Sequence, residues 1–369
     1  MKIPLVDLNA QHQSIKKDID AAIQNIIETS QFIMGEPVKK FEENWARFCG
    51  AKHAICCANG TVAIELALKA LGIGKGDEVI TVPNTFIATT EAVTHTGATF
   101  KFVDIDEKTM LMDPEKIEAA ITPKTKAIIP VHLYGQMCDM KRIKEIADKH
   151  NLKIIEDAAQ AHGAEFEDKS VGHYADVATF SFFPAKILGC MGDGGAVITN
   201  HDAVADKIRL LVNHGRKDKY EHLIEGHNYR IDAIQAAILQ AKLPYLNTWI
   251  DKRRKCAEQY SKALPASVKT PHEASGRKHT YYMYVIRTDN REKLMQHLKG
   301  NGIECGIHYP IPLHLQPAYK SLEYKQGDFP VTEKAAKEIL SIPLYPELDT
   351  EKIDTIIKNI SEFFGSNTQ

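Results

Sequence analysis

The sequence predicts an α/β fold: a mostly parallel central sheet with helices on both faces, followed by a smaller α+β domain at the C-terminal end. Three observations carry this. Over the first two thirds of the chain, short β-branched runs alternate with amphipathic helical patterns, the arrangement of βαβ units. The runs are continuously apolar rather than alternating, as strands buried on both faces must be. After Pro265 the character changes: an alternating strand, a glycine-closed helix and a final amphipathic helix follow one another.

In chain order, the strand candidates are HAICCA (53–58), EVITVP (78–83), TFKFVDID (99–106), AIIPVHLYG (127–135), KIIED (153–157), ATFSFF (178–183) and AVIT (196–199). Helical stretches lie between several of them, among them MKRIKEIADKHN (140–151). A long helical region runs from about Ile231 past Arg254. Beyond it, HTYYMYVIRT (279–288) alternates like a strand of an antiparallel sheet. REKLMQHLKGNG is a helix closed by Gly302, and EKIDTIIKNISEFF is an amphipathic helix. The expected division is a large domain over 1–250 and a small one over 251–369, with the N-terminal segment packing on the small domain.

The bulk numbers exclude several classes. The chain has 369 residues, is 44% hydrophobic and 25% charged, and carries a formal charge of -2 with both signs interspersed. That balance gives neither nucleic acid nor an anionic membrane an electrostatic footprint. MKIPLVDLNAQHQSIKKDID has no apolar core of signal-peptide length, and no apolar run reaches the ~18 residues of a membrane span. The seven cysteines include no C-x-x-C pair, so reduced thiols in a cytoplasm are expected. No metal site is expected: His308 and His314 have no standard ligand spacing and no acid or thiol cluster beside them.

In open parallel sheets, ligands bind beyond the carboxyl ends of the strands. Three places there carry chemistry. Asn59-Gly60-Thr61 follows the first strand and opens a helix; it is either an ordinary N-cap or a phosphate site built on free amides and the Thr61 hydroxyl. Asp157 ends KIIED, as another cap or as a buried carboxylate needing a cationic partner. Lys186 follows TFSFFP and precedes Gly189, Gly192, Gly194 and Gly195. A lone lysine beside glycines is usually a solvated loop residue. These glycines, however, permit positive φ and close approach to the backbone, leaving room for a ligand, and a catalytic amine needs both room and a lowered pKa. A lysine, an aspartate and a phosphate-binding helix start are what pyridoxal phosphate requires. The lysine forms the imine, and the aspartate keeps the ring nitrogen protonated so that the ring acts as an electron sink.

Seven stretches, NGTVAIELALKALGIGKGDEVI, PNTFIAT, PVHLYGQMCDM, IIEDAAQAHGA, SFFPAKILGCMGDGGA, HNYRIDAIQAAIL and HYPIPLHLQPAY, occur in one order across nearly the whole chain. Together they resemble the DegT/StrS family of fold-type I nucleotide-sugar aminotransferases. The resemblance implies roles residue by residue. Lys186 is the Schiff-base lysine and proton shuttle, and Asp157 pairs with the pyridine nitrogen. Gln160 bonds the phenolic oxygen; Gly60, Thr61 and Ser181 hold the phosphate. Phe86 either stacks on the cofactor ring or packs in the core. Asn228 reaches the phosphate of the neighbouring subunit, which implies a homodimer with shared active sites, and Arg230 in the same motif is expected at the substrate. A loop-to-helix cap is the other reading of Asn228 and Arg230. A branch of the family that dehydrates carries histidine in place of the lysine; this chain keeps Lys186.

HYPIPLHLQPAY, His308 to Tyr319, is rigid, polar and aromatic, suited to line a sugar-nucleotide pocket through His308, Tyr309 and His314. A buried structural histidine is the other reading of His314. By resemblance, its Y-P-I-P form accompanies enzymes acting at C-3 of the sugar. Arg277 and Lys278 are either partners for a diphosphate or sugar carboxylate, or a solvated loop. The implied reaction is a ping-pong transfer of an amino group from L-glutamate to a nucleotide-diphosphate keto sugar, dTDP- or UDP-linked. Its product serves lipopolysaccharide, another surface polysaccharide or a glycosylated metabolite. The alternatives are a C-4 aminotransferase on a 4-keto-6-deoxy sugar nucleotide and a PLP-binding regulatory protein without turnover. LGIGKGDEV lacks the G-x-G-x-x-G spacing and follows a helix, so no dinucleotide fold is implied.

Overall fold

The computed structural model describes residues 2–366; Met1 and positions 367–369 of the expected domains lie outside the described residues. Every strand expected in the first two thirds forms. They are β1 (His53–Cys57), β2 (Glu78–Thr81), β3 (Thr99–Phe102), β4 (Thr125–Ile128) and β5 (Lys153–Asp157). Two short strands, β6 (Glu165–Phe166) and β7 (Lys169–Ser170), precede β8 (Val177–Ser181) and β9 (Gly195–Thr199). The later strands are β10 (Arg277–Lys278), β11 (Tyr284–Arg287) and β12 (Ile339–Ile342).

The central sheet has seven strands in the order β1-β9-β8-β5-β4-β2-β3. β9 runs antiparallel to both of its neighbours, and the remaining pairs are parallel. Both faces are buried, which explains the unbroken apolar runs. Ala54 and Cys56 of β1, Ala178 and Phe180 of β8, and Ala196 and Ile198 of β9 enter one apolar cluster. Their alternates Ile55, Cys57, Val177 and Val197 enter a second on the opposite face. Trp45 of the helix Glu36–Cys49 is fully buried on the first face, edge-on to Phe180 and Phe182.

The long helical region resolves into Ala233–Lys242 and Leu246–Ala263, separated by a 3-10 turn holding Pro244, which cannot donate to a helical ladder. The second of these helices crosses the expected division at residue 250. A third apolar cluster gathers Cys256, Tyr260, Tyr284, Ile286, Leu298, Leu340 and Ile356. Ile3 belongs to it: its N–H donates to Gly302 O (2.8 Å) and its carbonyl accepts from Glu304 N (2.9 Å). The alternating HTYYMYVIRT run is strand only over β11, which pairs antiparallel with β12. Among the described residues, no helix is long and apolar enough to cross a membrane.

One carboxylate ties chain ends to centre. The helix Pro330–Glu338 has no side-chain cap of its own. Asp104, just beyond β3, caps it across 227 residues: Oδ2 accepts from Val331 N (2.9 Å), and Oδ1 accepts from Thr332 N (2.9 Å) and Thr332 Oγ1 (2.7 Å). Asp104→Ala strands these buried donors and is expected to lower stability by about 1–3 kcal/mol, read as a shift of the urea midpoint. An unchanged midpoint would show that water replaces the carboxylate without loss.

Candidate active site

The site lies where the rule for open sheets puts it, beyond the carboxyl ends of β1, β5 and β8. β5 and β8 are parallel neighbours with Asp157 paired to Thr179, so the end of β5 and the segment after Ser181 open on the same edge. Asp157 is 5% exposed. Its Oδ2 accepts from Thr89 Oγ1 (2.8 Å) and its Oδ1 from Ala159 N (3.1 Å).

Lys186 follows β8 in a tight turn whose first bond is its own N–H to Phe183 O (2.8 Å). Its Nζ lies 4.6 Å from the ring centroid of Tyr282, a cation–π distance. Burial pulls its pKa down to about 8, against the opposing pull of the Asp157 carboxylate. His308 titrates below its ordinary value because of burial and then the Lys186 charge. Fully buried His162, ringed by Trp45, Phe180 and Phe182, is pushed down to about 3 by the same two causes and stays neutral.

The helix-start end of the site is built by close approach. Asn59 caps the helix Gly60–Ala70 by accepting from Val62 N (3.0 Å), which leaves the first helical amides, those of Gly60 and Thr61, without an intrahelical partner. A Cβ on Gly60 would stand 2.7 Å from Ser181 Cβ, so only glycine lets the serine reach this helix start. On the other wall, Phe86 is 54% exposed, with its ring 5.7 Å from that of Tyr309. Gln160 Oε1 accepts from Tyr134 N (2.8 Å), its Nε2 donates to Tyr309 Oη (3.3 Å), and Tyr134 Oη donates to His308 O. His308 Nδ1 pairs with Ser341 Oγ at 2.8 Å.

The structure therefore brings Gly60, Thr61, Phe86, Asp157, Gln160, Ser181, Lys186, His308 and Tyr309 to one edge of the sheet. Asn228 is exposed and bridges to Asn213, whose side chain accepts from Arg230 Nη1 (3.1 Å).

Three expectations are corrected. His314 is not placed to touch a substrate: it is 3% exposed, its Nε2 lies 3.0 Å from Glu333 Oε1, and its ring packs on Phe329. Arg277 and Lys278 are not free cations. They form β10 against β6, where Lys278 pairs with Glu165 (2.7 Å) and Arg277 lies over Phe166 (5.5 Å). The four glycines after Lys186 do not make room for a ligand, and none has a positive φ. A Cβ on Gly189 would meet Pro184 O at 2.4 Å, and one on Gly195 would meet Asn59 O at 2.4 Å, so these two serve backbone-to-backbone packing; Gly192 and Gly194 give way to the side chains of Gln235 and Cys190. Sequence reasoning missed Thr89, Tyr134 and Tyr282. Thr85 and Thr89 sit four apart, a same-face signal for paired hydroxyls; Tyr134 and Tyr282 carry no local signal.

A desolvated lysine facing a carboxylate, beside a helix start shaped for an anion, defines a fold-type I pyridoxal-phosphate site. The chain belongs to the DegT/DnrJ/EryC1/StrS aminotransferase family, whose model matches residues 13–361. It is 48% identical over 368 residues to a pleiotropic regulatory protein of Geobacillus stearothermophilus, covering 99% of each chain. It is 45% identical over 355 residues to the UDP-2-acetamido-2-deoxy-3-oxo-D-glucuronate aminotransferase of Pseudomonas aeruginosa, covering 96% of this chain and 98% of that one. The structure of S. venezuelae DesV in complex with a ketimine intermediate superposes with a TM-score of 0.96 at 39% identity, covering 98% of both chains. The protein is an aminotransferase that uses pyridoxal phosphate.

Because its pKa lies at about 8, Lys186 is an ammonium below that pH and an amine above it. In cofactor-free protein, labelling of Lys186 by an amine-reactive reagent, followed by mass spectrometry, is expected to rise with pH to half its maximum near pH 8. A midpoint near the ordinary lysine value would show that burial does not tune this amine.

Proposed function

We propose that this aminotransferase moves the amino group of L-glutamate to the 3-keto group of a dTDP- or UDP-linked sugar, releasing 2-oxoglutarate. The observation that carries the chemistry is the Lys186 amine, desolvated at the end of β8 across from Asp157 on β5. When bound, the pyridine ring supplies the electron sink for a carbon that loses its proton. Asp157 would accept a hydrogen bond from the protonated ring nitrogen. The Gly60 and Thr61 amides and the Ser181 hydroxyl would bind the phosphate, Phe86 would pack on the ring, and Gln160 would donate to the phenolic oxygen. Lys186, able to exist as a free amine near neutral pH, takes a proton from the donor's α carbon and returns one at the far side of the transfer. The same groups work in reverse on the sugar ketone.

The position on the sugar is read from two supports. Tyr309 of the YPIP segment stands between Gln160 and Phe86, and by resemblance this form of the segment accompanies action at C-3. The Pseudomonas relative, at 45% identity, is named for a 3-oxo sugar. His308 and Tyr309 then contact the substrate, with Arg230 at the sugar nucleotide. Residues 1–250 act as the cofactor domain and 251–369 as the smaller domain that brings Tyr309 to it. The enzyme works in the cytoplasm as a homodimer in which exposed Asn228 reaches the neighbouring subunit's phosphate site. Its product supplies an amino sugar for lipopolysaccharide or another surface polysaccharide.

A second reading, a PLP-binding regulator without turnover, is favoured by the name of the Geobacillus relative. A single-turnover titration separates the readings. Protein converted to the pyridoxamine form with glutamate, and freed of donor, is offered 3-keto and 4-keto sugar nucleotides. Recovery of the starting absorbance with 3-keto sugars alone is expected, and Lys186→Ala is expected to show no turnover. Recovery with 4-keto sugars alone would move the assignment to C-4, and failure of the glutamate step would favour the regulator.

A further inference from the structure

Asp157 does not face the cofactor site unsupported. Its Oδ2 accepts from Thr89 Oγ1 at 2.8 Å, and Thr89 Oγ1 lies 3.0 Å from Thr85 Oγ1. Thr89 has one hydrogen, and a carboxylate can only accept. Thr89 therefore donates to Asp157, and Thr85 must donate to Thr89. The two threonines are 1% and 3% exposed, so no bulk water competes for these hydroxyls. A buried hydroxyl is costly where valine has the same shape, unless its hydrogen bond is used.

The neighbouring threonines show what is ordinary here. Thr90, Thr94 and Thr96 each donate to the carbonyl three residues back, at 2.8–2.9 Å. Thr89, on the same helix Ala88–His95, instead reaches across 68 residues to Asp157.

We propose that Thr89, backed by Thr85, is a positioning residue that sets the orientation of the Asp157 carboxylate, and thereby holds the proton on the ring nitrogen of the cofactor. The reason is geometric. With Oδ2 held by Thr89 and Oδ1 by Ala159 N, the carboxylate plane cannot turn, and its remaining lone pairs keep one direction toward a third donor. The shared proton then stays on nitrogen, and the pair remains a charge-assisted hydrogen bond. The Thr85 donor polarises Thr89 and strengthens its bond. Removing the Thr89 hydroxyl frees Oδ2 and lets the carboxylate turn away from the ring nitrogen, so that the proton is no longer held there. The ring becomes a weaker electron sink and a weaker ligand.

This inference rests on the assignment of Asp157 as the partner of the ring nitrogen, and the experiment tests the two separately. Protein variants are reconstituted with pyridoxal phosphate labelled with 15N in the ring, and the nitrogen chemical shift is read by NMR alongside cofactor affinity. Thr89→Val is expected to move the shift toward that of Asp157→Asn and to weaken cofactor binding about tenfold, the loss of one hydrogen bond to a charged group. Thr89→Ser is expected to keep the wild-type shift, and Thr85→Val to move it less than Thr89→Val. A wild-type shift in Thr89→Val, with Asp157→Asn displaced, overturns the inference and leaves Asp157 in its role. No displacement in Asp157→Asn overturns the Asp157 assignment itself. Should Thr89→Val fold poorly, Thr85→Val carries the test, because it removes only the outer donor: a wild-type shift there counts against the relay.

Discussion

Two opposite charges at the ends of adjacent buried strands set the terms for the rest of the site. The central sheet is largely apolar on both faces, and these two groups meet at its edge. Asp157 holds that edge through its backbone as well as its side chain: its N–H donates to Pro130 O (2.9 Å) and its carbonyl accepts from His132 N (3.0 Å). Lys186 is desolvated enough that burial outweighs the nearby carboxylate and brings its pKa to about 8. A partner closer to Asp157 would have kept the amine protonated; a more exposed lysine would have titrated normally. The amine is usable near neutral pH because neither condition is met.

Holding Lys186 at that point takes the whole turn from Phe182 to Gly195. Lys242, buried in the helix Ala233–Lys242, donates to Gly189 O (2.7 Å), and Gln235 accepts from Met191 N (2.9 Å). Gly195 then starts the one reversed strand, with Cys57 of β1 on one side and Ser181 of β8 on the other. This explains the glycines. The chain must pass within van der Waals reach of Asn59 and Pro184 carbonyls to bring the helix start at Gly60 and the lysine to the same edge. Side chains at Gly189 or Gly195 would push those walls apart.

Much of this was legible in the sequence because it is local. Continuous apolar runs reported strands buried on both faces, and NGT before an apolar helix reported a helix start beyond a strand. What failed was anything decided by the other side of the contact. His308 and His314 lie six apart in one proline-rich segment and look alike. The fold turns one toward Ser341 and the field of Lys186, and the other onto Glu333 of a later helix. Arg277 and Lys278 read as free cations until Glu165 and Phe166 are brought beside them. Thr89 gave no sign of its partner, because the bond spans 68 residues.

The polar chain from Tyr134 through Gln160 to Tyr309 has a direction that follows from one backbone group. Tyr134 N–H can only donate, so the Gln160 oxygen is committed to it (2.8 Å), and the amide nitrogen must face Tyr309 Oη (3.3 Å). Tyr309 is therefore the acceptor in that bond, and its own hydrogen is not consumed by it. Burial raises the pKa of this phenol, so the hydrogen stays on the oxygen at neutral pH. Gln160 also retains a second N–H. A single amide orientation thus leaves a neutral tyrosine hydroxyl as a donor, on a segment that Tyr134 Oη anchors at His308 O.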